Sequence, residues 1–402
     1  MMISTSCGLW KSSGQTETQQ TDGTSGQTEI QQTDDDAGKK LSEDGMWEQP
    51  AKDKVVYWEE LSHKGSMPMR AATEFSVDYI DVYQLVTIAD TDRFLLIPEG
   101  EPIPVGLPED VTVLAEPLDR IYLVSSSAMD YFLSLDGLPK IRLSATKEDG
   151  WCLEEAAEAM RQGDMLYAGK YSAPDYELLL GEACDLAIEN TMIYHTPEVK
   201  EQLEELGIPV LVEYSIYEAD PLGRLEWVKL YGLLLGKEEE ATALYEKWIA
   251  ELDPLMEQEN TGQTVAFFYI TGNGAVNVRK SKDYIAQLIE LAGGSYVFEE
   301  LDGEDENALA TINIQMEEFY RTAKDADYLI YNGTVDDELH SLDELLGKSA
   351  LMADFRAVQE GHVYSTGRDF YQESTGMGRF VQELHAILVG EEPESNYLKQ
   401  LK

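Results

Sequence analysis

Positive charge is what this chain has least of. Its 30 Lys and Arg stand against 77 Asp and Glu, a formal net charge of -47. A surface of that sign repels phosphate backbones and anionic lipid, which excludes a nucleic-acid partner. The acids are spread along the chain rather than gathered in one tail, so they favour solubility more than they identify a partner. Histidine is scarce too. His63, His195, His340, His362 and His385 show no ligand spacing and no HExxH, which argues against a bare zinc or manganese site. His195 beside Tyr194 is a candidate for haem iron, although a capped surface histidine is the commoner outcome. The three cysteines, Cys7, Cys152 and Cys184, form no CxxC and no disulfide framework. Cys152 and Cys184 read as small buried hydrophobes. No apolar run is long enough to span a bilayer. Gly272-Asn273-Gly274 lacks the rest of a phosphate-binding loop, and Ser125-Ser126-Ser127 lacks the glycines of a nucleophile elbow.

What is present is an ordinary 43% of hydrophobic residues in 402, enough for about two or three domains. Before them comes a polar repeat. Gly14-Gln15-Thr16-Glu17-Thr18-Gln19-Gln20-Thr21-Asp22 returns almost unchanged at 26–34. With nothing to bury, residues 8–54 are expected to be a disordered tether, with a random-coil reach of roughly 35–40 Å.

Structure is expected from Val55. Residues 75–88 and 93–98 alternate at period two and read as an antiparallel hairpin. A strand-helix rhythm follows. Strands are expected at 120–124, 141–143, 185–188 and 208–212, with helices at 129–135, 153–161, 175–182 and 197–206. The rhythm resumes at 264–270 and runs through strands at 296–298, 328–331 and 362–364. Its helices fall at 282–291, 316–320, 341–346, 350–358 and 374–389. Alternation of this kind predicts parallel sheets covered by helices, in two Rossmann-like α/β lobes. Between them, Asp220 can cap a helix, Pro221 suits its first turn and Gly236 can end it. That helix is apolar on nearly all sides, so it packs against protein on more than one face. It spans roughly 24 Å. A further helix is expected at 238–258. The resulting division is 55–217 for the first lobe, 218–258 for the linking helices and 259–402 for the second lobe, with a ligand cleft between lobes.

Asp220-Pro221-Leu222-Gly223-Arg224-Leu225-Glu226-Trp227 followed by 233–237, Glu177 eight residues before Asp185, and Ala357-Val358-x-x-Gly361-x-Val363-Tyr364 stand here in a telling order. Over residues 70–395 the chain resembles the substrate-binding lipoproteins of ABC importers for ferric siderophores, haem and cobalamin. The resemblance implies a monomer outside the cytoplasm, binding a metal chelate with no cofactor of its own and delivering it to a permease and its ATPase. It implies docking of one glutamate per lobe on permease arginines, Glu177 and Glu317, with Glu318 as the fallback. Residues 2–8 resemble the end of a lipoprotein signal, which makes 1–7 a signal remnant and Cys7 the lipidated residue that anchors the protein to the membrane.

Ligands in open α/β sheets sit beyond the carboxyl ends of the strands. Those ends are rich in aromatics: Trp151, Tyr167, Tyr171 and Tyr214 in the first lobe, with Lys170 beside them. The second lobe offers Tyr269, Asn273, Arg279, Tyr331, Arg368 and Tyr371. Aromatic walls suit flat or catecholate ligands, and cations suit an anionic chelate. Arg279 and Arg368 favour a ferric siderophore over haem or a corrinoid. Enzymes such as a metal chelatase, and extracellular scaffolds, share the two-lobed plan and remain the competing classes.

Overall fold

The computed structural model describes residues 55–301, 311–335, 338–393 and 397–402. The predicted lipidation site Cys7 and the 8–54 tether lie outside the described residues. Among the described residues, no helix is long and apolar enough to cross a membrane.

The first five strands form one sheet in chain order: β1 (His63–Ser66), β2 (Phe75–Ile80), β3 (Tyr83–Ile88), β4 (Asp92–Ile97) and β5 (Val111–Ala115). The pairs are antiparallel except β4–β5. The expected single arm 75–88 is broken at Asp81, whose φ of 52° turns the chain so that Tyr83 pairs with Ile80. Aspartate tolerates this left-handed conformation, and such a turn matches the twist of the flanking strands. The alternation itself divides the sheet. Val77, Val86 and Phe94 join the main core, while Tyr83, Leu85 and Leu95 form a satellite core.

The first lobe runs β6 (Ile121–Leu123), α1 (Met129–Ser134), β7 (Ile141–Ser144), α2 (Glu154–Gln162) and β8 (Leu166–Tyr167). A small hairpin follows, β9 (Gly169–Lys170) and β10 (Ala173–Pro174), then α3 (Tyr176–Gly181), β11 (Leu186–Asn190), α4 (Pro197–Glu205) and β12 (Val210–Glu213). Its sheet is parallel, in the order β12-β11-β6-β7-β8. Both faces are covered: Ile188 lies in the main core and Ala187 in a second core with Val199 and Leu203 of α4. Strands buried on both faces read as continuous apolar runs, as these do.

The linking span is α5 (Pro221–Glu226), α6 (Val228–Leu234) and α7 (Glu238–Met256). Asp220 caps α5 by accepting from the Leu222 N–H at 2.8 Å, and Gly236, at φ 66°, ends α6. The expected single helix is interrupted at Trp227, whose N–H donates only three residues back, to the Arg224 carbonyl at 3.3 Å. Every residue of α5 and α6 is buried. A Cβ on Gly232 would stand 2.2 Å from the Ala241 Cβ, so α6 and α7 meet only because that position is glycine.

A strap of extended chain crosses this span. The carboxylate of Glu226 accepts the N–H groups of Arg70, Ala71 and Ala72 at 2.8–3.0 Å. Glu218 accepts those of Thr73 and Glu74, and also the Trp227 Nε1–H at 2.9 Å. Lys229 closes the network, donating to Glu226 at 2.6 Å and to the Pro68 carbonyl at 2.9 Å. Burial would push the Glu226 carboxyl up, but Lys229 and the backbone donors outweigh it and hold it below the usual carboxylate range.

The second lobe holds β13 (Thr264–Ile270), β14 (Val276–Arg279), α8 (Tyr284–Leu291), β15 (Ser295–Tyr296), β16 (Thr311–Ile314) and α9 (Met316–Ala323). Then come β17 (Tyr328–Tyr331), α10 (Leu342–Lys348), α11 (Arg356–Glu360), β18 (Val363–Thr366), α12 (Met377–Val389) and β19 (Leu398–Gln400). The sheet order is β16-β14-β13-β17-β18-β19, with β15 also on β13. The centre β13-β17-β18 is parallel and both ends are antiparallel. The strands β14, β16 and β19 were not expected. β14 returns from β13 through the turn at Gly272-Asn273-Gly274, where Asn273 accepts from Thr271 Oγ1 at 2.5 Å. The glycine motif is therefore a hairpin.

Candidate functional site

The C-terminal ends of β6, β11 and β12 open onto a cleft of about 330 Å³ between the lobes. The turn at 125–128 leaves β6, Asn190 ends β11 and Met192 follows it, and Glu213 ends β12. The facing wall is Arg279 at the end of β14, Asp283 and Tyr284 at the start of α8, and Tyr371. Arg224 of α5 completes the floor.

The charged groups of the cleft are buried. Arg224 is 3% exposed and Arg279 is 9% exposed, in a chain otherwise crowded with acid. The guanidinium of Arg224 lies 4.2 Å from the Tyr284 ring centroid, and among the described residues its Nε has no hydrogen-bond partner. Arg279 stacks over Tyr371 at 5.1 Å and meets the Asp283 carboxylate at 3.4 Å. Asp283 also caps α8, accepting from the Ile285 N–H at 2.9 Å. Glu213 accepts from the Ser215 N–H at 2.9 Å and from Ser125 Oγ at 3.2 Å. Burial pushes the carboxyls of Glu213 and Asp283 up, against the pull of Arg224 and Arg279. At the rim, Met192, Ile216 and Tyr217 expose apolar surface, and Tyr217 packs on Tyr214, whose hydroxyl donates to that of Tyr194 at 3.0 Å.

One side of the cleft is fastened. The Gln372 amide accepts from the Cys152 N–H and donates to the Gly150 carbonyl, both at 2.8 Å. Ser374 donates to the Ser127 carbonyl at 2.7 Å, and Thr375 binds Asp130 through its N–H and its hydroxyl.

Of the predicted ligand residues, the cleft lining contains Arg279 and Tyr371. Trp151 is buried beside the Gln372 fastening. Tyr167 is exposed under Lys147, Lys170 is exposed on β9, and Tyr171 packs on the second core. Tyr214 supports the rim. Tyr269 packs on the main core, and Tyr331 lies inside it, edge-on to Phe268. Asn273 is the hairpin turn described above. Arg368 is exposed in a separate depression with His340 and Glu344. Sequence reasoning missed Arg224, Glu213 and Asp283. A signal existed for Arg224, the arginine inside a helix otherwise read as apolar all round. Glu177 and Glu317 are exposed in the first turns of α3 and α9. Glu318 pairs with Arg321 at 3.7 Å, which leaves Glu317 the freer of the two. Cys152 is exposed rather than buried, and Cys184 is half-buried. Among the described residues, no group of three or more His, Cys, Asp and Glu could hold a metal ion.

The chain is similar to two uncharacterized lipoproteins of Methanocaldococcus jannaschii. One is 25% identical over 302 residues, covering 72% of this chain and 70% of the relative. The other is 23% identical over 342 residues, covering 80% and 83%. Its fold is similar to a periplasmic haem-binding protein of Pseudomonas aeruginosa, with a TM-score of 0.56 and 18% identity over 71% of this chain and 98% of that one. It is also similar to the periplasmic catecholate-siderophore binding protein VctP of Vibrio cholerae, with a TM-score of 0.51 and 12% identity over 68% and 94%. The family described as "Periplasmic binding protein" matches residues 124–370, more than half of the sequence, and the chain belongs to that family.

Proposed function

We propose that this protein is the extracytoplasmic substrate-binding component of an ABC importer, taking up a ferric siderophore-type chelate between its lobes. The observation that carries this reading is the pair of buried arginines, Arg224 and Arg279, in the interlobe cleft. In a chain of net charge -47, an anionic chelate needs concentrated local positive charge to bind at all. The names of the solved neighbours, haem-binding and catecholate-siderophore binding, support the same ligand class. The apolar rim of Met192, Ile216 and Tyr217 favours haem or a corrinoid as the second reading, since a flat macrocycle would cover it. The role is capture and release without turnover. Lipid attachment at Cys7 would hold the protein at the membrane, in keeping with its lipoprotein relatives. Glu177 and Glu317 would meet arginines of the permease.

The cleft is at the small end of ligand pockets, which run from roughly 300 to 1,000 Å³. A siderophore therefore stands partly outside it or parts the lobes. Tryptophan-fluorescence titration with ferric enterobactin, ferrichrome, haemin and cyanocobalamin tests the reading. Arg279→Ala should weaken binding of an anionic chelate by about 2–5 kcal/mol, because the ligand charge loses its buried partner. Cobalamin binding alone would move the function to corrinoid uptake. Unchanged siderophore affinity in Arg279→Ala would remove the arginine from the site.

A further inference from the structure

The arginines of the cleft do not face it unopposed. Arg279 already holds the Asp283 carboxylate at 3.4 Å, and Glu213 lines the same floor as Arg224. Asp283 and Glu213 are 5% and 1% exposed, and the remaining lining residues carry no formal charge. With all four groups ionised, the empty cleft is formally neutral. A ligand bearing several negative charges would add them to two buried carboxylates, and each uncompensated buried charge is costly. The Arg279–Asp283 contact is long for a charge-assisted hydrogen bond, which is shorter by several tenths of an ångström when well formed. Arg224 keeps its Nε free. Both guanidiniums are held by aromatic rings, Tyr284 and Tyr371, so Arg279 stays in place if Asp283 lets go, while Arg224 feels Glu213 across the floor without touching it.

We propose that Glu213 and Asp283 are the specificity-determining residues of this cleft: Asp283 stands in for a ligand anion on Arg279, Glu213 balances the charge of Arg224 across the floor, and a polyanionic ligand takes over both roles, each carboxylate left without its arginine taking up a proton. This rests on the reading of the cleft as a chelate site and adds to it the charge class of the ligand and a proton stoichiometry. The groups around each acid allow it. Glu213 faces Ser125 from the turn after β6, Ser215 from its own strand end, Arg224 from α5, Tyr131 from α1 and Tyr231 from α6. Asp283 faces Arg279 from β14, Arg224 from α5, the Ile285 N–H from α8 and Tyr296 from β15. Among the described residues, each acid thus has arginine as its only cationic neighbour, and burial already disfavours its charge. Removing the arginine's pull raises proton affinity further.

The test is calorimetric titration of the full chain with trianionic ferric enterobactin, uncharged ferrichrome and haemin, in two buffers of different ionisation enthalpy. Glu213→Gln and Asp283→Asn are compared with the parent; asparagine is also a good helix cap, and glutamine keeps an acceptor for Ser215. The expected result is net proton uptake with ferric enterobactin and an affinity that rises by up to about tenfold per pH unit per proton as pH falls from about 8 to about 6. Each amide variant should bind ferric enterobactin more tightly near pH 8 and lose part of that slope, while ferrichrome binding changes with neither pH nor variant. A purely structural role would move all probes together and leave the slope intact. Equal shifts for charged and uncharged probes, or no proton uptake by the parent protein, would overturn the proposal while leaving a chelate site standing. Failure of the parent and both variants to bind any of the three would overturn both.

Discussion

Glu189 carries a cost that no hydrogen bond offsets. It is 0% exposed in β11, and among the described residues neither carboxylate oxygen has a partner. Burial pushes its carboxyl from 4.5 up to about 8. The folded protein therefore keeps a proton that the unfolded chain releases. For an acid raised in this way, the favourable term is complete below about 4.5 and is lost as pH rises to about 8. The loss is about 1.4 kcal/mol per pH unit across that window. Glu189→Gln should leave stability nearly unchanged near the acid end and raise it above about pH 8. Urea unfolding at a series of pH values measures this, and an unchanged pH slope in the variant would show that Glu189 is not the source. The residue reads in the sequence as one more acid among 77, since the apolar run and the expected strand both stop at Ile188, one position before it. The cleft acids escaped sequence reasoning as well. A carboxylate's partner is decided by strand order, which brings Glu213 to Ser125 across 88 positions of chain.

Elements were more legible than contacts. The caps at Asp220 and Gly236, and the parallel first-lobe sheet, followed from capping chemistry and continuous apolar runs. The strands β14, β16 and β19 did not, because short strands that mix polar with apolar residues, such as Val276–Arg279, offer neither a continuous apolar run nor a period long enough to stand out. The break at Trp227 was invisible as well, and so was the strap, whose backbone N–H groups at 70–74 turn toward Glu218 and Glu226. Glu226→Ala should cost about 3–5 kcal/mol, because it takes the carboxylate partner from buried Lys229 and from three backbone N–H donors at once. Chemical denaturation would show it, and a loss within about 0.5 kcal/mol would mean that the strap is dispensable. The Gln372 fastening makes a different demand. Gln372→Ala removes two hydrogen bonds worth about 1 kcal/mol each, so amide exchange at Cys152 should quicken by roughly tenfold or more. Unaltered exchange there would mean that the lobes do not part along this side.

At the scale of the molecule, the proposed docking brings in surfaces outside the cleft lining. Glu177 and Glu317 occupy like positions, each in the first turn of the helix that precedes a central strand of its lobe, β11 or β17. Glu177→Arg together with Glu317→Arg should abolish transport and leave ligand affinity intact, since like charges would then meet at the permease. Normal uptake by the double variant would remove both residues from docking. The two lobes are also joined through α5–α7 and through Gln372, Ser374 and Thr375, and Ser374 meets Arg224 of α5 at 3.5 Å, so the two joins run into one another. Two bodies joined along one continuous seam keep one easy relative movement, a swing about that seam. The cleft then behaves as a book held along its spine. It gapes along a single free edge, so whatever enters must arrive broadside from that edge and leave by the same path.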